Sequence, residues 1–317
     1  MTAALRAGVL AMSIVACTRP RPTVSAADLA HVERWWIVIG ASPMLESLDW
    51  PHYARDAQMV VLSGDPRIPV QDFPPRTIRL AYLSIGEADT RRPYWPAIQN
   101  EPFLVEPNPN WPGVRVDFRD ERWQEVLLRD ELPPLMQRGY DGVMLDTLDT
   151  IPYLEGKDPA RFAGSRQALR DWLRRMREAF PRAVFIANGG DALVDAAPFV
   201  DGFVVEGVFA LYDPGRRAYR ATTDAERAWK LGAIARARAV APRPVFTIEY
   251  ADVGDTALAR WAAQESTRHG FRPYVGVRDL NTAPVTLLDL GTPVNPPPEP
   301  PDGPESGPEP GPETPPR

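Results

Sequence analysis

Several apolar runs in this chain stop on a carboxylate or an amide. AYLSIGE places Glu87 just past its end, and GVMLD stops at Asp146, with Asp149 shortly after it. AVFIAN ends in Asn188 ahead of Gly189-Gly190-Asp191, GFVVE stops at Glu206, and VFTIEY closes on Glu249 and Tyr250. Such runs belong in a protein interior, where an ionisable group without a partner is costly. Three chemistries would use acids gathered there. A carboxylic acid and a carboxylate can cut a glycosidic bond, one protonating the leaving oxygen while the other attacks or activates water. Crowding assists, because mutual repulsion keeps one group protonated near neutrality. The same oxygens could instead hold Mg²⁺ or Ca²⁺, or bind a cationic ligand without reaction.

Other chemistries lack their residues. The histidines are His31, His52 and His269, the single cysteine is Cys17, and no Cys/His spacing suited to zinc occurs. There is no G-x-S-x-G elbow, P-loop or G-x-G-x-x-G. A formal charge of -6 offers no basic excess for phosphates, which argues against a nucleic-acid partner and suits a cationic substrate.

The elements that must position these groups alternate regularly. Short runs rich in Val, Ile and Phe occupy 35–39, 58–62, 78–84, 142–146, 183–188, 202–206, 245–249 and 273–277, with polar or helical stretches between them. SRQALRDWLRRMREAF sets Leu169, Trp172, Leu173, Met176 and Phe180 on one helical face, with Ser165 as cap and Pro181 as stop. Residues 255–269 repeat that pattern with Leu258, Trp261 and Ala262, and the stretch after Asp120 predicts a helix interrupted at Pro133-Pro134. Eight buried strands alternating with helices predict a single (β/α)8 TIM barrel over 31–290, the doubly wound open sheet being the alternative. In a barrel every strand end opens onto one face, so the acids would line one polar, mostly anionic pocket.

The flanks read differently. MTAALRAGVLAMSIVACTRP has Arg6 ahead of an apolar stretch too short to span a bilayer, the pattern of a secretory signal over 1–16. Ile14-Val15-Ala16-Cys17 resembles a bacterial lipobox, which implies lipidation at Cys17 and an exported protein anchored by lipid to the cell envelope. Residues 17–30 read as a tether. Residues 293–317 hold twelve prolines in twenty-five positions, so the tail 291–317 has little to bury and is expected to be disordered. A monomer is expected.

LAYLSIGEADTRRPYW, WPGVRVDFRDERWQEVLL, RGYDGVMLDTLDT, the Asn188-Gly189-Gly190 turn, VVEGVF and GFRPYVGVRDL together cover nearly all of 31–280. In that combination and order the chain resembles the family-114 glycoside hydrolases, the endo-α-1,4-polygalactosaminidases and the hydrolase domains of the PelA exopolysaccharide type. The resemblance implies a (β/α)8 fold, no cofactor or metal, and cleavage of α-1,4-linked, partly deacetylated N-acetylgalactosamine polymers. It implies that Asp146 and Glu206 are the catalytic carboxylates, with their roles unassigned. Asp149 then holds a sugar, tunes Asp146 or caps the next helix. Tyr82, Trp95 and Tyr250 are candidate sugar-stacking rings, with Tyr94, Trp111, Tyr153, Tyr212 and Tyr274 also near strand ends. Glu87, Asn188 and Glu249 are candidate polar contacts to substrate. Two positions depart from the family pattern: Gly189 stands where many relatives have Arg, and Glu206-Gly207-Val208 replaces Glu-Ser-Leu. A non-catalytic sugar- or cation-binding envelope lipoprotein on the same barrel is the competing reading.

Overall fold

The computed structural model describes residues 24–40, 56–109 and 111–281. The signal segment, Cys17 and the Pro-rich tail lie outside the described residues.

Eight strands form one parallel sheet in chain order: β1 (Trp35–Val38), β2 (Met59–Leu62), β3 (Ile78–Ser84), β4 (Gly142–Asp146), β5 (Val184–Asn188), β6 (Gly202–Glu206), β7 (Val245–Tyr250) and β8 (Arg272–Gly276). Each coincides with an apolar run of the sequence to within a residue or two. The runs are continuous rather than alternating because both faces of a parallel sheet are covered, one by the barrel interior and one by helices. β1 and β8 meet at a seam held by other bonds. Trp35 Nε1 donates to Arg272 O at 2.9 Å, and Ile39 N and Gly40 N both donate to Leu280 O, at 2.9 and 3.1 Å. The fold is a (β/α)8 barrel.

Helix Ser165–Ala179 buries Leu169, Trp172, Leu173 and Met176 against the sheet, the face its periodicity predicts. Its cap is Gly164, in the left-handed conformation, while Ser165 Oγ donates to Phe162 O at 2.7 Å. The helix after Asp120 is not broken at its prolines. Glu121–Glu125 passes through a π-helical segment, Val126–Glu131, into Leu132–Gln137. Leu132 N reaches Leu127 O, five residues back, and Pro133 and Pro134 then occupy the first turn of the next segment, where no N–H is required.

Residues 26–30, expected to belong to the tether, form with His31 a 3-10 helix (Ala26–His31) whose Leu29 is fully buried. It packs over the strand starts: Arg272, opening β8, donates to Val32 O and Ala30 O at 2.8 and 2.9 Å. At the strand ends, two excursions build the walls of a cleft. After β3 comes a three-stranded antiparallel sheet of Glu87–Asp89, Leu104–Pro107 and Gly113–Val116; after β6 comes the hairpin Ala210–Asp213 with Ala218–Ala221. Neither was expected, because strands of three or four residues are too short to establish a period.

Candidate active site

Sheet register decides which side chains reach the mouth of the barrel. Tyr82 pairs with Met144, Met144 with Ile186, Asn188 with Val204, and Glu206 with Ile248. Asp146, Asn188, Glu206 and Tyr250 each lie two residues beyond one of these positions. Side chains alternate along a strand, so Tyr82, Asp146, Asn188, Glu206 and Tyr250 all face inward, one from each of five consecutive strands. They form a continuous hydrogen-bonded chain. Tyr82 Oη donates to Asp146 Oδ2 at 2.6 Å, and Asn188 Nδ2 donates to Asp146 Oδ1 at 2.8 Å and to Glu206 Oε1 at 2.5 Å. Tyr250 Oη donates to Glu206 Oε2. The two tyrosines, candidates for sugar stacking, therefore spend their hydroxyls on carboxylates and orient them.

The segment carrying Asp146 is locked from below. Ile85 N donates to Asp146 O at 3.0 Å, while Gly86 N donates to Thr147 Oγ1 at 2.9 Å. Thr147 Oγ1 also lies 2.9 Å from Ser84 Oγ. Thr147 adopts φ 61°, a left-handed conformation that a β-branched residue rarely holds without strain. Gly86 has to be glycine, since a Cβ there would stand 2.1 Å from Thr147 O. The SIGE and LDT stretches are thus two halves of one joint.

Burial is the main electrostatic force on the acids. It pushes the Glu206 carboxyl up to about 7, and the charge of Asp146 adds to the shift; hydrogen bonds from Tyr250 and Asn188 and the charge of Lys230 oppose it. Burial also raises Asp146, against the donors Tyr82, Thr147 N–H and Asn188. The two titrate as a pair. Asp149 is pushed up to about 6 by burial and by Asp146. It stands at the N-cap position of helix Thr150–Lys157 without a side-chain cap bond, and the backbone N–H groups of Asp149 and Thr150 oppose the shift.

Glu87 is buried below the cleft wall. Its carboxylate accepts from Asn108 Nδ2 at 2.9 Å and Thr150 Oγ1 at 3.0 Å, and burial raises its pKa despite them. Lys230, which the sequence reading passed over, donates from Nζ to Glu206 O at 2.7 Å. It fits because Gly207 sits at φ 57°: a Cβ at that position would come 3.1 Å from Nζ. The second departure, Gly189, is close-packed too, with a Cβ there meeting Leu148 Cβ at 3.1 Å.

Two sequence candidates are not brought into the site. Trp95 is half-buried against the core and does not line the cleft. Glu249 is 0% exposed and points outward, one residue out of phase with Tyr250. Its carboxylate accepts from Phe209 N and Ala210 N at 2.9 Å each and from Ser266 Oγ at 3.1 Å, fixing the turn that follows Glu206. Removing it orphans two buried N–H groups. Glu249→Ala should cost roughly 2–5 kcal/mol, read by urea unfolding; a change below 1 kcal/mol would show that the turn stands without it.

The cleft above these residues is large, ≈ 1980 Å³, and carries both signs of charge. Rim acids are matched by arginines, Asp65 by Arg67 at 2.8 Å and Asp89 by Arg91 at 3.0 Å. The floor acids instead take hydrogen bonds from neutral donors. Among the described residues no cluster of three or more His, Cys, Asp or Glu is arranged to hold a metal ion.

A (β/α)8 barrel that brings two carboxylates to one amide nitrogen at its open end has the architecture of the barrel glycosidases. Residues 74–289 match glycoside-hydrolase family GH114, and the chain belongs to that family. An uncharacterized protein of Deinococcus radiodurans is 31% identical over 213 residues, a match spanning 64% of this chain and 65% of that protein's length. Among solved structures, the glycoside hydrolase domain of PelA from Pseudomonas aeruginosa superposes with a TM-score of 0.65 at 23% identity, over 79% of this chain and 96% of that one. Ega3 of Aspergillus fumigatus, solved with galactosamine, gives 0.55 at 16% identity over 83% and 96%.

Proposed function

We propose that this chain is a retaining glycosidase acting on galactosamine-type polysaccharide, with Asp146 as nucleophile and Glu206 as general acid and base. One observation carries the reading: a single nitrogen, Asn188 Nδ2, bonds both carboxylates, at 2.8 and 2.5 Å. Their nearest oxygens therefore stand no more than about 5 Å apart, the spacing of a retaining pair; an inverting pair is set ~6.5–9.5 Å apart to admit water. Asp146 attacks the anomeric carbon while Glu206 protonates the departing oxygen. Water, deprotonated by Glu206, then releases the glycosyl-enzyme. Asp149 and the acids around it supply partners for an amino group on the sugar. Family membership and the galactosamine in the Ega3 structure support this substrate class.

The test is the anomer first released from partly deacetylated α-1,4-galactosamine polymer, followed by proton NMR. An α product is expected. A β product would sink the assignment of roles, and absence of any cleavage would favour the binding-protein reading.

The pH profile gives a second check. Glu206 must carry a proton to act, and its folded pKa is about 7, so kcat/KM should fall roughly tenfold per pH unit above that value. The charge of Lys230 lowers Glu206. Lys230→Met should therefore move the alkaline limb upward, while Lys230→Arg should leave it near its place. An unmoved limb in Lys230→Met would assign this lysine a purely structural bond.

The amino-terminal sequence supports export and lipidation at Cys17. Metabolic labelling with a fatty-acid analogue should be lost in Cys17→Ala; label retained in that variant would exclude the anchor.

A further inference from the structure

Nine tryptophans occur in this chain, and most are spent on packing. Trp35, Trp36, Trp123, Trp172 and Trp261 are buried, and Trp95 is half-buried. Among the described residues two are held open to solvent, Trp111 at 49% and Trp229 at 47%, and both line the cleft above Asp146 and Glu206. An exposed indole is informative where an exposed leucine is not, because so large an apolar face is normally covered.

Each indole has a prepared seat. Trp229 lies against Gly190, beyond the end of β5, where a Cβ would come 3.1 Å from its ring. Its neighbour on helix Asp224–Val240 is Lys230, bonded to Glu206 O, and both residues line the same cleft as the carboxylates. Trp111 belongs to the turn before strand Gly113–Val116, and its ring is braced by the guanidinium of Arg278 at 4.9 Å. Arg278 lies beyond β8, and its guanidinium is also 5.0 Å from the ring of Tyr212. The ends of β5 and β8 are three strands apart in a ring of eight, close to opposite sides of the mouth.

We propose that Trp229 and Trp111 are two pyranose-stacking platforms that grip one polysaccharide chain on different sugar units. The inference rests on the carbohydrate reading above. A sugar with an axial O4 presents an uninterrupted C–H face from C3 to C5, which matches a flat indole in shape and hydrophobicity. A protonated amino group is drawn to the same ring face. Trp229 is the platform nearest the reacting bond and Trp111 the distal one.

The test measures binding of galactosamine oligomers of graded length to Glu206→Gln, which holds substrate without turning it over, alongside cleavage of polymer by the wild-type protein. Trp229→Ala in that background should weaken all lengths by roughly three- to tenfold, the loss of one stacked ring. Trp111→Ala should weaken only the longer oligomers. Trp229→Phe and Trp111→Phe should recover much of the loss, which a merely unfolded variant would not. Wild-type cleavage combined with unchanged binding in both alanine variants would overturn the platforms and leave the glycosidase standing. If no oligomer binds and no polymer is cut, both readings fall together.

Discussion

Asp146→Asn and Glu206→Gln should each lower kcat on polymer by about three to five orders of magnitude, some 4–7 kcal/mol of transition-state stabilisation. Both are isosteric and keep one acceptor for Tyr82, Asn188 or Tyr250, so loss of activity would report chemistry and not collapse. The two differ in what rescues them. A small external anion such as azide can replace a missing nucleophile, so azide should restore turnover to Asp146→Ala and invert the product. Substrates whose leaving group needs no proton should restore the first step to Glu206→Gln. Turnover near the wild-type rate in either isosteric variant would remove that residue from the mechanism. Stability should move the other way. The folded pKa of Glu206, about 7, lies above its ordinary value of 4.5. Between those values the folded state binds more protons than the unfolded one, so the stabilisation is complete below the ordinary value and is lost as pH rises through the folded one. Glu206→Gln should therefore melt higher than wild type at pH 8 and close to it at pH 4, which differential scanning calorimetry at the two pH values would measure.

The second large effect is expected at a residue with no side chain. A Cβ on Gly86 would lie 2.1 Å from Thr147 O and 3.1 Å from Thr150 Cβ. The first clash is with backbone, so no rotamer can relieve it. Room could be made only by moving Thr147, already at φ 61°, and with it the carbonyl of Asp146 that accepts from Ile85 N. Gly86→Ala should cost at least about 3 kcal/mol and displace Asp146, so that any folded fraction is nearly inactive. Gly156→Ala is the control, with nothing within 4 Å of its added Cβ; it should change stability by less than about 1 kcal/mol. Urea unfolding and kcat on the same preparations decide the matter. A Gly86→Ala protein with wild-type stability and rate would mean that the joint between the third and fourth strands does not hold the site.

The barrel was legible because parallel strands covered on both faces read as apolar runs, interrupted inside only by Arg79 in β3 and by Thr247 and Glu249 in β7. The floor of the cleft was legible in part. A strand that stops on an acid announces a position, and Asp146, Asn188 and Glu206 were found in that way. Phase was not legible. VFTIEY ends in two polar residues of which only one can face inward, and the choice depends on the pairing of Glu206 with Ile248. That register is a property of the closed sheet, so Glu249 and Tyr250 looked equivalent when they are not. Long-range partners were invisible for a related reason. Lys230 meets Glu206 across 24 residues and Asn108 meets Glu87 across 21, joined by no local pattern. The π-helical segment escaped because adjacent prolines signal a break, whereas a wider turn ahead of them absorbs the missing N–H groups.

The 3-10 helix over the strand starts bears on how the molecule is held in its surroundings. Leu29 fills the space beside Gly202, the first residue of β6, and Ala30 and Val32 are bonded by Arg272 at the first residue of β8. The described chain therefore begins at the closed floor of the barrel, at the opposite pole from the mouth. The lipid proposed at Cys17 would then attach on the floor side of the barrel, with the opening directed away from the membrane. The same few buried contacts that stopper the barrel would set its bearing on the cell.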